Sequence, residues 1–124
     1  MELTIRQREY DKYLTILQIL ANLTNPTIRP FNSLRNRELE VFAVILYLYH
    51  DKYGHLPVDE KYEIIFSYQT RVEISNLLDG ISLASVYNIM MNLRKHGLIT
   101  KQRIIKEYLI PNTDFIKINF TQED

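Results

Sequence analysis

A chain of 124 residues carrying 15 basic and 15 acidic side chains is the length of one domain and has no net charge to draw it as a whole towards nucleic acid. It contains no cysteine, which excludes disulfide frameworks, thiolate metal sites and cysteine nucleophiles together and fits a reducing compartment such as the cytoplasm. Three isolated glycines leave no room for a phosphate-binding or dinucleotide-binding glycine loop or a serine nucleophile elbow, so neither an enzyme nor a cofactor is expected.

Residues 4 to 23 have the spacing of a first helix, with Tyr10, Tyr13, Leu14, Leu17, Leu20 and Ala21 on one face. The opening MELTIRQREYDKY has no hydrophobic run, which argues against a signal peptide. Pro26 and Pro30 end the helix, and Asn32 or Ser33 is placed to cap the next one, running to about Tyr53 and stopping at Gly54. That second helix is apolar nearly all round from Val41 to Tyr49. It is far shorter than the roughly 20 residues of a membrane span, so no membrane is expected, yet it must be covered on more than one side. The first helix or a second subunit is the candidate cover, and a homo-oligomer is expected. Residues 1–31 are thus read as an N-terminal helix and linker serving assembly, and 32–124 as the main domain.

Tyr62 to Tyr68 is rich in aromatic and β-branched residues and is read as a short strand, with a helix as the alternative. From Glu73 the chain reads as two short helices, 70–79 and 82–96, around Gly80. Ile74, Leu77 and Leu78 give the first an apolar face; Val86, Ile89, Met90 and Leu93 do so for the second, which Ser82 caps and Gly97 ends. Two further segments, about 99–109 and 114–120, flank the Pro111-Asn112-Thr113-Asp114 turn, and the alternation of Ile116, Ile118 and Phe120 with Lys117 and Asn119 has the period of a half-buried strand.

Glu73-Ile74, Ile81-Ser82, Ser85-Val86, Leu93 and Gly97-Leu98-Ile99 follow a pattern that resembles the winged helix-turn-helix regulators of bacteria and phages. The chain departs from it in having Ser75 where alanine is usual and a turn one residue longer, with both Asp79 and Gly80 between Leu78 and Ile81. The resemblance implies a mainly α fold with a small β-hairpin (α+β), that is, a winged helix-turn-helix with an added N-terminal helix. It also implies duplex DNA as partner, bound through the recognition helix and wing by a transcriptional or replication accessory in the cytoplasm of a bacterial or phage-infected cell. The alternative is a protein-interaction module, such as a phage structural or assembly component acting in the virion with other protein chains and no DNA.

Charge is unevenly spread. Residues 69–106 hold six basic side chains against two acidic ones, a net +4, while 1–68 hold eight against nine and 107–124 one against four. Arg94, Lys95, Lys101 and Arg103 are the expected phosphate contacts. Ser82, Ser85, Asn88 and Asn92 lie on the helix face opposite Val86, Ile89 and Leu93, and are the expected base or phosphate contacts, asparagine pairing well with adenine. His50, Asp51 and His55 fall across a helix end without a third ligand at a recognised spacing, so no metal is expected. Of the nine tyrosines, Tyr10, Tyr13, Tyr47 and Tyr49 lie on helices at core spacing, and core and subunit contact is the expected use.

Overall fold

The computed structural model describes residues 9–22 and 31–109. Among these residues five α-helices follow one another: α1 (Asp11–Ala21), α2 (Asn36–Tyr47), α3 (Val58–Ile65), α4 (Tyr68–Leu77) and α5 (Leu83–Lys95), with 3-10 turns at Phe31–Ser33 and Lys106–Tyr108. One continuous core runs from Tyr10 to Ile104.

Helix α2 is the centre of that core. Val41, Phe42, Ala43, Val44, Ile45 and Leu46 are all 0% exposed, which an α-helix achieves only when neighbours enclose it on every side. Helix α1 supplies one wall through Tyr13, Leu14, Leu17 and Leu20, and α5 supplies another. Gln18 Nε2 donates to Asn36 Oδ1 (3.0 Å) near the start of α2, while Tyr13 Oη donates to Asp51 Oδ2 (3.2 Å) beyond its end. The two helices therefore run antiparallel. The stretch that suggested a second subunit is closed within one chain, and no partner is needed to cover it.

The cap of α2 lies further on than the expected Asn32 or Ser33. Phe31–Ser33 turns on itself, with Leu34 N–H donating to Phe31 O (3.1 Å), and the helix starts after Arg35. Glu38 reaches back to accept the Arg35 N–H (2.9 Å), the carboxylate half of a capping box.

At its far end α2 widens into a π turn, Leu48–Lys52, closed by Tyr53 N–H on Leu48 O (2.8 Å). The chain then folds back so tightly that a Cβ on Gly54 would stand 2.2 Å from the His50 carbonyl oxygen. Gly97 is different: its φ is +82°, but a Cβ there meets nothing within 4 Å. Gly54→Ala is accordingly expected to cost about 1–3 kcal/mol through overpacking against backbone, and Gly97→Ala about 1–2 kcal/mol through the left-handed backbone alone. Urea unfolding of both variants checks this, and a Gly54→Ala protein of undiminished stability would refute the backbone clash.

Three expectations are corrected here. The segment Tyr62 to Tyr68 is no strand: Tyr62 to Ile65 complete α3, and Tyr68 opens α4. Pro57 stands at the N-cap with Asp59 and Glu60 in the first turn, and Lys61, Tyr62 and Ile65 are the buried set, a helical spacing that overrides the β-propensity of the individual residues. Among the described residues the fold is all-helical and no β-hairpin wing is seen. Only Ile99 and Ile104 bridge, across a turn in which Thr100 N–H donates to Arg103 O (2.8 Å) and Thr100 Oγ1 accepts from Gln102 and Arg103 N–H (3.1 Å each). With no strand at 62–68 to extend it, the ladder stops after one rung, and the chain turns away at Lys106–Tyr108, where Tyr108 packs edge-on against Phe31 at 5.3 Å. The segment 114–120 lies outside the described residues. Finally, Leu77 is 42% exposed and Leu78 is 1%. Thr70, Ile74 and Leu78 form the buried ridge of α4, each four residues from the last.

Aromatic rings tie the helices together. His50 stacks on Tyr13 (5.7 Å) and meets Tyr49 edge-on (5.1 Å), Tyr49 lies 5.3 Å from Tyr62, and the Lys61 ammonium sits 4.0 Å above the Tyr49 ring. Burial pushes the Tyr62 hydroxyl from its ordinary 10 up to about 12, and neighbouring Tyr49 adds to the rise. The folded state thus holds this proton more tightly than the unfolded chain does. Stability from Tyr62 is full below pH 10 and is lost as pH climbs towards about 12. Denaturant unfolding across that range should show Tyr62→Phe losing less stability than the wild type; equal slopes would exclude Tyr62 as the titrating group.

Candidate nucleic-acid interface

Helix α5 and its surroundings hold every candidate contact, and α5 is fixed at both ends and on one side. Ser82 Oγ accepts the Ser85 N–H (3.0 Å) at its start, and the turn before it uses Gly80 at φ +78°. At its end Gly97 N–H donates to Arg94 O and Leu98 N–H to Leu93 O, both 3.0 Å, with Leu93 and Leu98 buried together, the full set of contacts of a Schellman stop. Ser75, in place of the usual alanine, donates its hydroxyl to Ile81 O (2.9 Å) and so ties α4 to the turn. Helix α4 is itself anchored by Ser67, which caps it by accepting the Thr70 N–H (3.3 Å). Helices α4 and α5 are thus joined by a turn that hydrogen bonds hold on both sides.

One buried polar contact sets α5 against α2. Asn92 Nδ2 donates to Glu38 Oε2 (2.6 Å), and Glu38 Oε1 already holds the Arg35 N–H. Both oxygens of this buried carboxylate are engaged, and so is the Asn92 amide. Asn92 is half-buried and committed to the interior. Ser82 is spent on the helix cap. Ser85 and Asn88 are exposed, which leaves Asn88 as the one asparagine of the expected pair that points to solvent.

The cations divide by surroundings. Arg71 from α4, Arg94 from α5 and Lys101 from the turn line one shallow concavity of about 270 Å³ with Tyr87, and no acidic side chain lines it. Among the described residues no carboxylate is ion-paired with Arg71, Arg94, Lys95 or Lys101. Lys95 is exposed beyond this concavity. Arg103 lines a neighbouring groove together with Lys101, Asp59 and Glu63, its guanidinium 5.7 Å from the Tyr62 ring. The two carboxylates of that groove offset the charge of Arg103, which unlike Lys101 does not also line the acid-free concavity.

On the opposite flank of α5 a cleft of about 490 Å³ separates it from the start of α2, with Arg35 and Arg37 on one wall and Ser85 and Asn88 on the other. Compared with known protein families, with curated proteins and with solved structures, the chain finds no match.

Arg71, Tyr87 and Arg35 were not among the expected contacts. Tyr87 and Arg94 are seven residues apart and share a helix face, a signal present in the sequence. Nothing in the spacing of Arg71 or Arg35 shows that either would stand beside α5, because each belongs to another helix. Among the described residues no three His, Asp or Glu side chains converge as metal ligands; His50 is instead sandwiched among Tyr13 and Tyr49. No helix of the described residues is long and apolar enough to cross a membrane.

Proposed function

We propose that this protein is a small helix–turn–helix DNA-binding protein, a transcriptional or replication accessory acting in the cytoplasm of a bacterial or phage-infected cell. The observation that carries the reading is the convergence of Arg71, Arg94 and Lys101, from three separate elements, on one concavity beside α5 with no acid in its lining. Three such cations neutralise phosphates and release counterions, which supplies most sequence-independent affinity. In this reading α5 lies along the major groove, Arg71, Arg94 and Lys101 hold the backbone, and Asn88 is the residue placed to pair with adenine. The test is a salt titration of the full chain with random duplex DNA: affinity must fall steeply as salt rises, and affinity that is absent or insensitive to salt ends the proposal.

One observation favours a second reading, a protein-contact module of a larger assembly. Tyr87 is 50% and Met91 45% exposed on α5, and Tyr68 and Leu77 are exposed on α4. Aromatic residues and methionine are the side chains that interfaces enrich. A partner protein covering α5 would mask Tyr87 and Met91 together with the cations, and competition between that partner and DNA would separate the two readings.

A further inference from the structure

Ser85 and Tyr87, two residues apart on α5, stand about 200° apart around the helix. The cleft that Ser85 and Asn88 line and the concavity that Tyr87 and Arg94 line therefore lie on opposite flanks. A helix of about 10–12 Å diameter fills a major groove about 12 Å wide, and that groove is bordered by two sugar–phosphate strands, one along each flank. The concavity offers cations to one strand. The cleft offers Arg35, whose exposed side chain makes no ion pair among the described residues; its backbone is held, the N–H by Glu38 and the carbonyl by the Leu39 N–H. Arg37 beside it is already occupied by Glu40 (2.8 Å) and by the Asp79 carbonyl (2.9 Å). The Glu38 carboxylate also lines the cleft, buried and with both oxygens engaged, and the exposed Ser85 hydroxyl, which accepts from Ser82 Oγ (3.0 Å) and keeps its own proton to donate, lines it with Arg35.

We propose that this cleft seats the second strand of the duplex, with Arg35 as its phosphate contact and Ser85 as a hydroxyl partner, so that α5 is clasped from both sides. The assignment rests on the duplex-binding reading above and adds a second strand to it. Arg35 belongs to α2, so the grip on this strand comes from the core helix and not from the helix–turn–helix.

The experiment uses the full chain, a short duplex and its separated single strands, and a salt titration of each. Arg35→Ala should lower the salt slope by about 0.9 and weaken duplex binding about 8-fold at 0.1 M salt, while Arg35→Lys restores the slope and Lys12→Ala, at the far side of α2, leaves it unchanged. Neutral methylphosphonate linkages placed in one strand at a time then assign the contacts. Arg35→Ala should lose its effect when one strand is neutralised, and Arg94→Ala when the other is. An unchanged slope for Arg35→Ala, with wild-type binding intact, overturns the second-strand assignment and leaves the DNA-binding reading standing. The same holds if both effects map to one strand or if single strands bind as tightly as the duplex. Absence of any salt-dependent binding by the wild type overturns both.

Discussion

Replacing Arg71, Arg94 and Lys101 together by alanine is expected to reduce the salt slope of duplex binding by about 2.7 and to weaken binding at 0.1 M salt on the order of 10²–10³-fold, at every DNA sequence alike. The size follows from the number of charges: three cations without a carboxylate partner meet at one concavity, and each phosphate deprived of its cation takes about 0.9 from the slope. The fold should survive the change. None of the three is ion-paired among the described residues; the one ring contact involved, Arg71 at 5.7 Å from Tyr68, is at an exposed position and is worth about 0.5–1 kcal/mol. Thermal unfolding of the variant should stay close to wild type, so a loss of binding reports the interface. Arg103→Ala is the internal comparison. Because Asp59 and Glu63 share its groove, which neither Arg71 nor Arg94 lines, it should move the slope much less than Arg71→Ala or Arg94→Ala. A triple variant that binds as the wild type does would show that DNA, if bound, does not lie against this concavity.

Leu17→Ala in α1 is expected to lower the free energy of unfolding by about 2–5 kcal/mol, and Leu20→Ala by a similar amount. Both side chains are 0% exposed and form the wall that α1 lays along α2. A domain of this kind has about 5–15 kcal/mol in all, so the double variant should be largely unfolded at 37 °C. Ile19, on the same helix but 47% exposed, serves as comparison, its alanine variant staying within about 0.5 kcal/mol of wild type. The wild-type unfolding midpoint should also be independent of protein concentration, since Val41 to Leu46 are enclosed within one chain. A midpoint that rises with concentration would show that a second copy contributes to the folded state.

The sequence by itself determined the elements that depend on local chemistry. The first helix and its buried face, read over 4–23 and seen as Asp11–Ala21 among the described residues, the break at Gly80, the Ser82 cap and the Gly97 stop are written in periodicity and in residues with one conformational use: a hydroxyl three residues before an N–H that needs an acceptor, a glycine where φ is positive. The net +4 of residues 69–106 was also legible, being a sum of side-chain charges. The tertiary structure decided what depends on pairing between distant segments. Tyr62 to Tyr68 has strand-forming residues, but a strand needs a neighbour, and with one rung between Ile99 and Ile104 the helical packing of Tyr62 and Ile65 prevails. Both Leu77 and Leu78 fit the spacing of α4, and only the place where the chain leaves the helix exposes the first and buries the second. Asn92 and Asn88 are equivalent in sequence, four residues apart on one helix face. A glutamate 54 residues away takes the first and leaves the second to solvent. The cationic concavity has the same origin: Arg71, Arg94 and Lys101 become neighbours because α4 and α5 pack against each other and Leu93–Leu98 turns the chain back, and no spacing rule encodes a contact made by three elements at once.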